Sequence, residues 1–171
     1  SVVRNALMRI SGYSTFGVEQ SSNGYIGEAQ YIGNMYGGLA VAYDIAYDSF
    51  TTSAQLTARG KFETLLYKDI VAAQLEYKDE VDLGSDYHRR TSNKRANFYG
   101  SLLTTGLALK YYTGPAQALT INQLISIGGS TLTEVIDWEF DRDGAAYEAA
   151  NYQPSVVAAP LFWFSEIYRN V

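Results

Sequence analysis

The stretch "GEAQYIGNMYGGLAVAYDIAYDSF", residues 27 to 50, decides the fold. Tyr31, Met35, Leu39, Ala42 and Ala46 recur every three to four positions, with Ile32, Tyr36, Tyr43 and Tyr47 beside them. This is the period of an amphipathic helix, not the alternation of a strand. Gly33, Gly37 and Gly38 lie inside the pattern, and each costs a helix about 1 kcal/mol relative to alanine. Their presence predicts close approach by a neighbouring helix or a ligand.

The helical reading extends in both directions. Residues 1 to 24 are rich in Ser and Gly, predicting a short N-terminal helix at most and an irregular segment over about 1–26. After residue 50, Thr52 followed by Gln55 is a capping-box pattern that opens a second helix, with Leu56, Phe62, Leu65, Leu66, Ile70 and Leu75 as its apolar side. The polar segment "DEVDLGSDYHRRTSNKR", 79–95, reads as a long loop. A third helix follows, with Phe98, Leu102, Leu103, Leu107 and Tyr111 inward, small Gly100 and Gly106 permitting tight packing, and Gly114-Pro115 at its end.

Residues 116–140 predict one long or two shorter helices, thinned at Gly128-Gly129. A last helix is expected over about 155–168, with Pro160 implying a kink. No segment alternates as strands do. The expected fold class is therefore all-α, a single domain over 1–171 built of antiparallel helical hairpins.

Composition narrows the chemistry. The chain has 171 residues, 47% of them hydrophobic, enough for one sizeable core. A net charge of −5 without any Lys/Arg run argues against a nucleic-acid partner. No apolar stretch reaches transmembrane length, so no membrane partner is expected. The absence of cysteine excludes disulfides and thiolate metal sites, and one histidine with scattered acids shows no spaced ligand set. Neither a metal nor a cofactor is expected. The fifteen tyrosines stand out, because rings with a polar tip suit carbohydrate clefts and protein interfaces as well as helical cores.

Three segments resemble the heparinase II/III-like and alginate-lyase-like polysaccharide lyases. Ala42-Tyr43-Asp44 and Tyr47-Asp48 match the family's "A-Y-D-W-L-Y-D", with a Thr cap and Arg59 after it. "TSNKRANFYGSLLTTGLAL" resembles its asparagine-bearing helix start, and "DRDGAAYEAANY", 141–152, its "D-G-x-x-x-E" element followed by a tyrosine. The resemblance implies an incomplete α/α toroid around a cleft for an acidic, uronate-containing polysaccharide cleaved by β-elimination. It further implies an extracellular or periplasmic location. The family's His beside the Asn is missing here, since Asn93 precedes Lys94 and Arg95. The β-sheet domains that complete such sites are also missing, so a companion domain or homo-oligomer is expected to close the cleft.

Such a lyase neutralises the uronate carboxylate, removes the C5 proton and protonates the leaving oxygen. Asn93 is the candidate for neutralisation and Tyr152 for base or acid, with Arg95 and His88 in charge support. A tyrosine base needs its pKa lowered by nearby cations. Tyr43, Tyr99, Arg89, Arg90, Tyr147 and Glu148 complete the set as substrate-binding candidates. Each has a plainer alternative: Ser92 or Asn93 caps the third helix, His88 is an exposed loop residue, and Glu148 with Tyr152, four residues apart, share a helix face. Asp141, Asp143 and Glu148 could instead serve a hydrolase, though acids also cluster in turns. The rival to any enzyme is a non-enzymatic Tyr-rich helical domain for glycan binding or self-assembly.

Overall fold

A computed structural model describes residues 1–16, 27–82 and 93–139. These form five α-helices and no strand: α1 (Val2–Ile10), α2 (Gly27–Ala46), α3 (Ser53–Asp82), α4 (Asn93–Ala108) and α5 (Ile121–Glu139), with a single 3-10 turn at Tyr47–Ser49. The architecture is all-α, and its boundaries follow from local chemistry. Before α3, Gln55 Oε1 accepts from the Thr52 amide at 3.0 Å while Thr52 Oγ1 accepts from the Gln55 amide at 3.3 Å. This reciprocal box satisfies two of the amides that every helix start leaves without partners. Thr120 and Gln123 repeat it at the head of α5, at 2.7 and 3.2 Å.

Contacts fix the helix directions. Tyr43 meets Glu63 and Phe62 while Tyr47 meets Arg59, so α2 and α3 run antiparallel. Gly128 lies against Tyr99 and Leu103 while Gly106 lies against Ile121 and Ile125, so α4 and α5 form a second antiparallel hairpin. The hairpins join through α2 and α4, which run parallel: Gly33 faces Asn97 near their starts, and residues 40–48 face residues 104–111 near their ends.

The hairpins also share a written pattern. Asn34-Met35-Tyr36-Gly37-Gly38-Leu39 in α2 corresponds to Asn97-Phe98-Tyr99-Gly100-Ser101-Leu102 in α4, and Thr52-Ser53-Ala54-Gln55-Leu56 to Thr120-Ile121-Asn122-Gln123-Leu124. The core lies between the hairpins. Tyr36, Tyr43, Phe62, Leu66, Ile70, Phe98, Tyr99 and Leu102 are almost wholly buried there. α1 and the turn after it close one side of that core. Asp69, itself buried, accepts from the Phe16 amide at 2.7 Å and Thr15 Oγ1 at 3.0 Å, holding the Phe16 ring against Tyr36 and Phe62.

Several expectations need correction. Residues 79–82 belong to α3 and residues 93–95 to α4, so the polar segment is less of a loop than its composition suggests. Residues 75–78, Leu-Glu-Tyr-Lys, carry the helix into Asp79-Glu80-Val81-Asp82, and no Gly or Pro intervenes until Gly84. Leu56 and Leu75 are exposed, and Tyr67, Val71 and Ala73 complete the buried side of α3 in their place. α4 ends at Ala108, six residues before Gly114, because the chain tightens there into i→i−3 bonds from Lys110 and Tyr112. Tyr111 therefore points outward, and Tyr112 returns to α3, its hydroxyl 3.0 Å from Thr64 Oγ1. α5 starts at its capping box and passes through Gly128-Gly129 unbroken. The helix expected over 155–168 lies outside the described residues.

Neighbouring glycines of α5 have opposite environments. A Cβ on Gly128 would stand 2.6 Å from the Leu103 nitrogen and 2.7 Å from the Tyr99 carbonyl oxygen, whereas one on Gly129 meets nothing within 4 Å. Gly128→Ala is expected to destabilise the fold by about 1–3 kcal/mol through overpacking against backbone, and Gly129→Ala to stabilise it by about 0.5–1 kcal/mol through helix propensity. Urea denaturation of the two variants beside the parent checks both the signs and the contrast.

Candidate functional site

Parallel packing of α2 on α4 brings their C-terminal ends to the same end of the molecule. There the helices part into a solvent-open groove of about 410 Å³. Ala40, Val41, Leu107 and Ala108 form the apolar part of its lining, with buried Thr104 and half-buried Tyr47 beside them, and Asp44, Asp48, Lys110 and Tyr111 form its exposed rim. This volume lies within the range of small-ligand pockets. Asp44 and Asp48 are exposed, and neither forms an ion pair among the described residues.

The two tyrosines are held differently. Tyr47 is half-buried, with the Arg59 guanidinium 4.6 Å above its ring and the Tyr43 ring edge-on at 5.6 Å. Tyr111 is 73% exposed, and the Lys110 Nζ lies over its ring, 5.1 Å from the ring centre. One wall is thus a fixed aromatic edge and the rim is an accessible aromatic face.

Behind the groove wall lies a polar network that couples α2 to α3. The Tyr43 hydroxyl donates to Glu63, and Arg59 approaches the same carboxylate oxygen at 3.3 Å. Burial, followed by the hydrogen bond and charge of Glu63, pushes the Tyr43 phenol well above its ordinary range, outweighing the lowering effect of Arg59. A tyrosine in that state holds its proton.

Of the residues expected from the sequence to form a site, Tyr43, Tyr99 and Arg95 have described side chains, and all three are buried. Tyr43 and Tyr99 are 1% and 2% exposed and pack in the core, offering no face to a substrate. Arg95 is also buried: its Nη2 donates to Glu134 Oε2 at 2.8 Å across the α4–α5 interface, and its guanidinium lies 5.9 Å from the Tyr99 ring. That commitment joins two helices and removes Arg95 from charge support in a cleft. Asn93 is the first residue of α4. His88, Arg89, Arg90, Tyr147, Glu148 and Tyr152 lie outside the described residues, as do Asp141 and Asp143.

Sequence reasoning missed Asp44, Asp48, Lys110 and Tyr111 as a group. Their signal was the repeated motif, which aligns the end of α2 with the end of α4. Among the described residues no cluster of His, Cys, Asp and Glu could hold a metal, and no helix is long and apolar enough to cross a membrane. The chain matches no family model, no curated protein and no solved structure.

The Tyr43–Glu63 bond carries a pH signature. With the folded-state pKa raised above the unfolded value of about 10, the stabilisation is complete below pH 10 and is lost as pH rises further, because the unfolded chain releases the proton first. Tyr43→Phe is expected to cost about 1–3 kcal/mol at neutral pH and to flatten the loss of stability above pH 10. Thermal melts of both proteins across the alkaline range measure the difference.

Proposed function

We propose that the chain is a carbohydrate-binding helical domain whose binding surface is the groove at the ends of α2 and α4. The observation that supports this reading is the pairing of an accessible tyrosine face at Tyr111 with polar and carboxylate groups along an apolar lining. Sugars present apolar C–H faces ringed by hydroxyls, so a recognition site for them needs an aromatic surface flanked by hydrogen-bonding groups. Asp44 and Asp48 supply acceptors, and Lys110 a donor.

β-Elimination of an acidic polysaccharide is the second reading. It is supported by the hairpin architecture and by the position of Asn93 as the first residue of α4. It would rest on Tyr152 and His88 for proton transfer. The groove itself does not favour it, because Asp44 and Asp48 repel a uronate.

Titration calorimetry with neutral glucans, amino-sugar oligomers and uronate oligomers tests the binding reading, and ultraviolet absorbance of unsaturated ends in the same mixtures tests the lyase. Tyr111→Ala is expected to weaken glycan binding about tenfold, near 1.4 kcal/mol, while leaving the melting temperature essentially unchanged, since the ring is exposed. Absence of binding to every glycan, or unchanged affinity in the variant, would overturn the proposal.

A further inference from the structure

We infer that the groove selects a cationic glycan, an oligosaccharide of free amino sugars whose ammonium groups sit against Asp44 and Asp48 while a sugar ring stacks on Tyr111. This deepens the carbohydrate-binding reading and rests on it. The argument begins with the parallel arrangement of α2 and α4. A helix C-terminus is the negative end of the helix dipole, equivalent to about half a negative charge, and part of it is already answered here: Arg4 donates to the Ser49 carbonyl, and the Lys110 and Tyr112 amides to those of Leu107 and Leu109. Antiparallel neighbours would place opposite ends together, but here both negative ends converge on one groove.

Side-chain charges act in the same sense. Two carboxylates line the groove against one ammonium, that of Lys110, which lies beside the Tyr111 ring. Two more cations approach from behind and are already engaged. Arg59 lies over Tyr47 and against Glu63, while Arg4 donates to the Ser49 carbonyl at 3.0 Å and to the Asn5 side chain at 3.1 Å. Neither lines the groove. A cation entering it would meet two carboxylates with no ion-pair partner among the described residues, while Arg59 lies over the Tyr47 ring and the Lys110 ammonium over that of Tyr111.

Size argues for a short sugar chain over a docked helix. One turn of an α-helix about 10 Å across occupies roughly 400 Å³, so the groove would accept only a single turn of a partner helix. Pyranose rings are flat enough to lie on Tyr111 while their substituents reach the wall.

The test compares a glucosamine oligomer with its fully N-acetylated counterpart of equal length, using the intact protein and calorimetry. The parent is expected to bind the free amino sugar at least tenfold tighter. That preference should shrink with added salt, and disappear as pH rises through the pKa of the sugar ammonium. In the Asp44→Asn, Asp48→Asn double variant it should fall to near unity, and circular dichroism should show an unchanged fold because both residues are exposed. Equal binding of the two oligomers by the parent, or a preference that survives the double variant, would overturn the inference and leave the broader glycan reading intact. Binding of neither oligomer, nor of any other glycan, would remove both. An oligolysine of matched charge that binds as tightly as the amino sugar, and keeps its affinity in Tyr111→Ala, would identify a basic-peptide site and also overturn the inference. The salt and acetylation comparisons use the parent alone, so they decide the matter even where a variant fails to fold.

Discussion

Backbone-to-backbone approach at α4 is the constraint on which the rest of the structure depends. α4 is flanked on one side by Gly33 of α2, where a Cβ would lie 2.6 Å from the Asn97 carbonyl, and on the other by Gly128 of α5. Neither approach is open to a residue with a side chain. Because both neighbours are so close, residues 95–106 of α4 are buried, which is why Asn97, Ser101, Thr104 and Thr105 lie hidden among its apolar residues. Several of these meet their hydrogen-bonding needs within the helix: Thr104 Oγ1 donates to the Gly100 carbonyl at 2.8 Å and Ser101 Oγ to that of Phe98 at 2.7 Å. A helix of such composition would be poor in isolation and becomes an interior element only through its glycine-bearing neighbours.

The tyrosines divide along the same lines. Tyr36, Tyr43 and Tyr99 are core residues, Tyr67 and Tyr112 join the segment after α4 to α3, and Tyr47 and Tyr111 border the groove. Composition raised two explanations for a tyrosine-rich chain, a wet surface and a helical core, and the described tyrosines include both buried rings and rings that reach solvent at the groove. Their positions decide which applies. Tyr43 is adjacent to Asp44 in sequence, yet one turns inward to Glu63 and the other lies at the groove.

Helix identity and the larger part of the core were legible in the sequence, because apolar spacing in α2, α3 and α4 is dense and the Thr52–Gln55 box is explicit. The start of α5 was equally explicit in Thr120 and Gln123, but the apolar residues upstream of it obscured the boundary. Gly128-Gly129 looked like an interruption because glycine weakens helices in isolation. In place, one of the pair is required by the neighbouring backbone and the other is merely tolerated. The candidate site was poorly legible for a different reason. Tyr43, Tyr99 and Arg95 carry chemically useful groups, but burial and pairing are properties of three-dimensional packing, and nothing in the local sequence announces that Arg95 will meet Glu134 across a helix interface. The groove arises from the register between α2 and α4, and only their shared Asn-x-Tyr-Gly pattern carries that register.

That pattern has a consequence for how such a molecule could change. One short pattern, written twice, recurs in two hairpins whose first helices run parallel, so that residues from the ends of both helices, Tyr47 and Tyr111 among them, line one groove. A further copy appended in the same register would not create an independent site. It would lengthen the existing one by a single tyrosine-bordered step, so the span of the groove would scale with the number of hairpins.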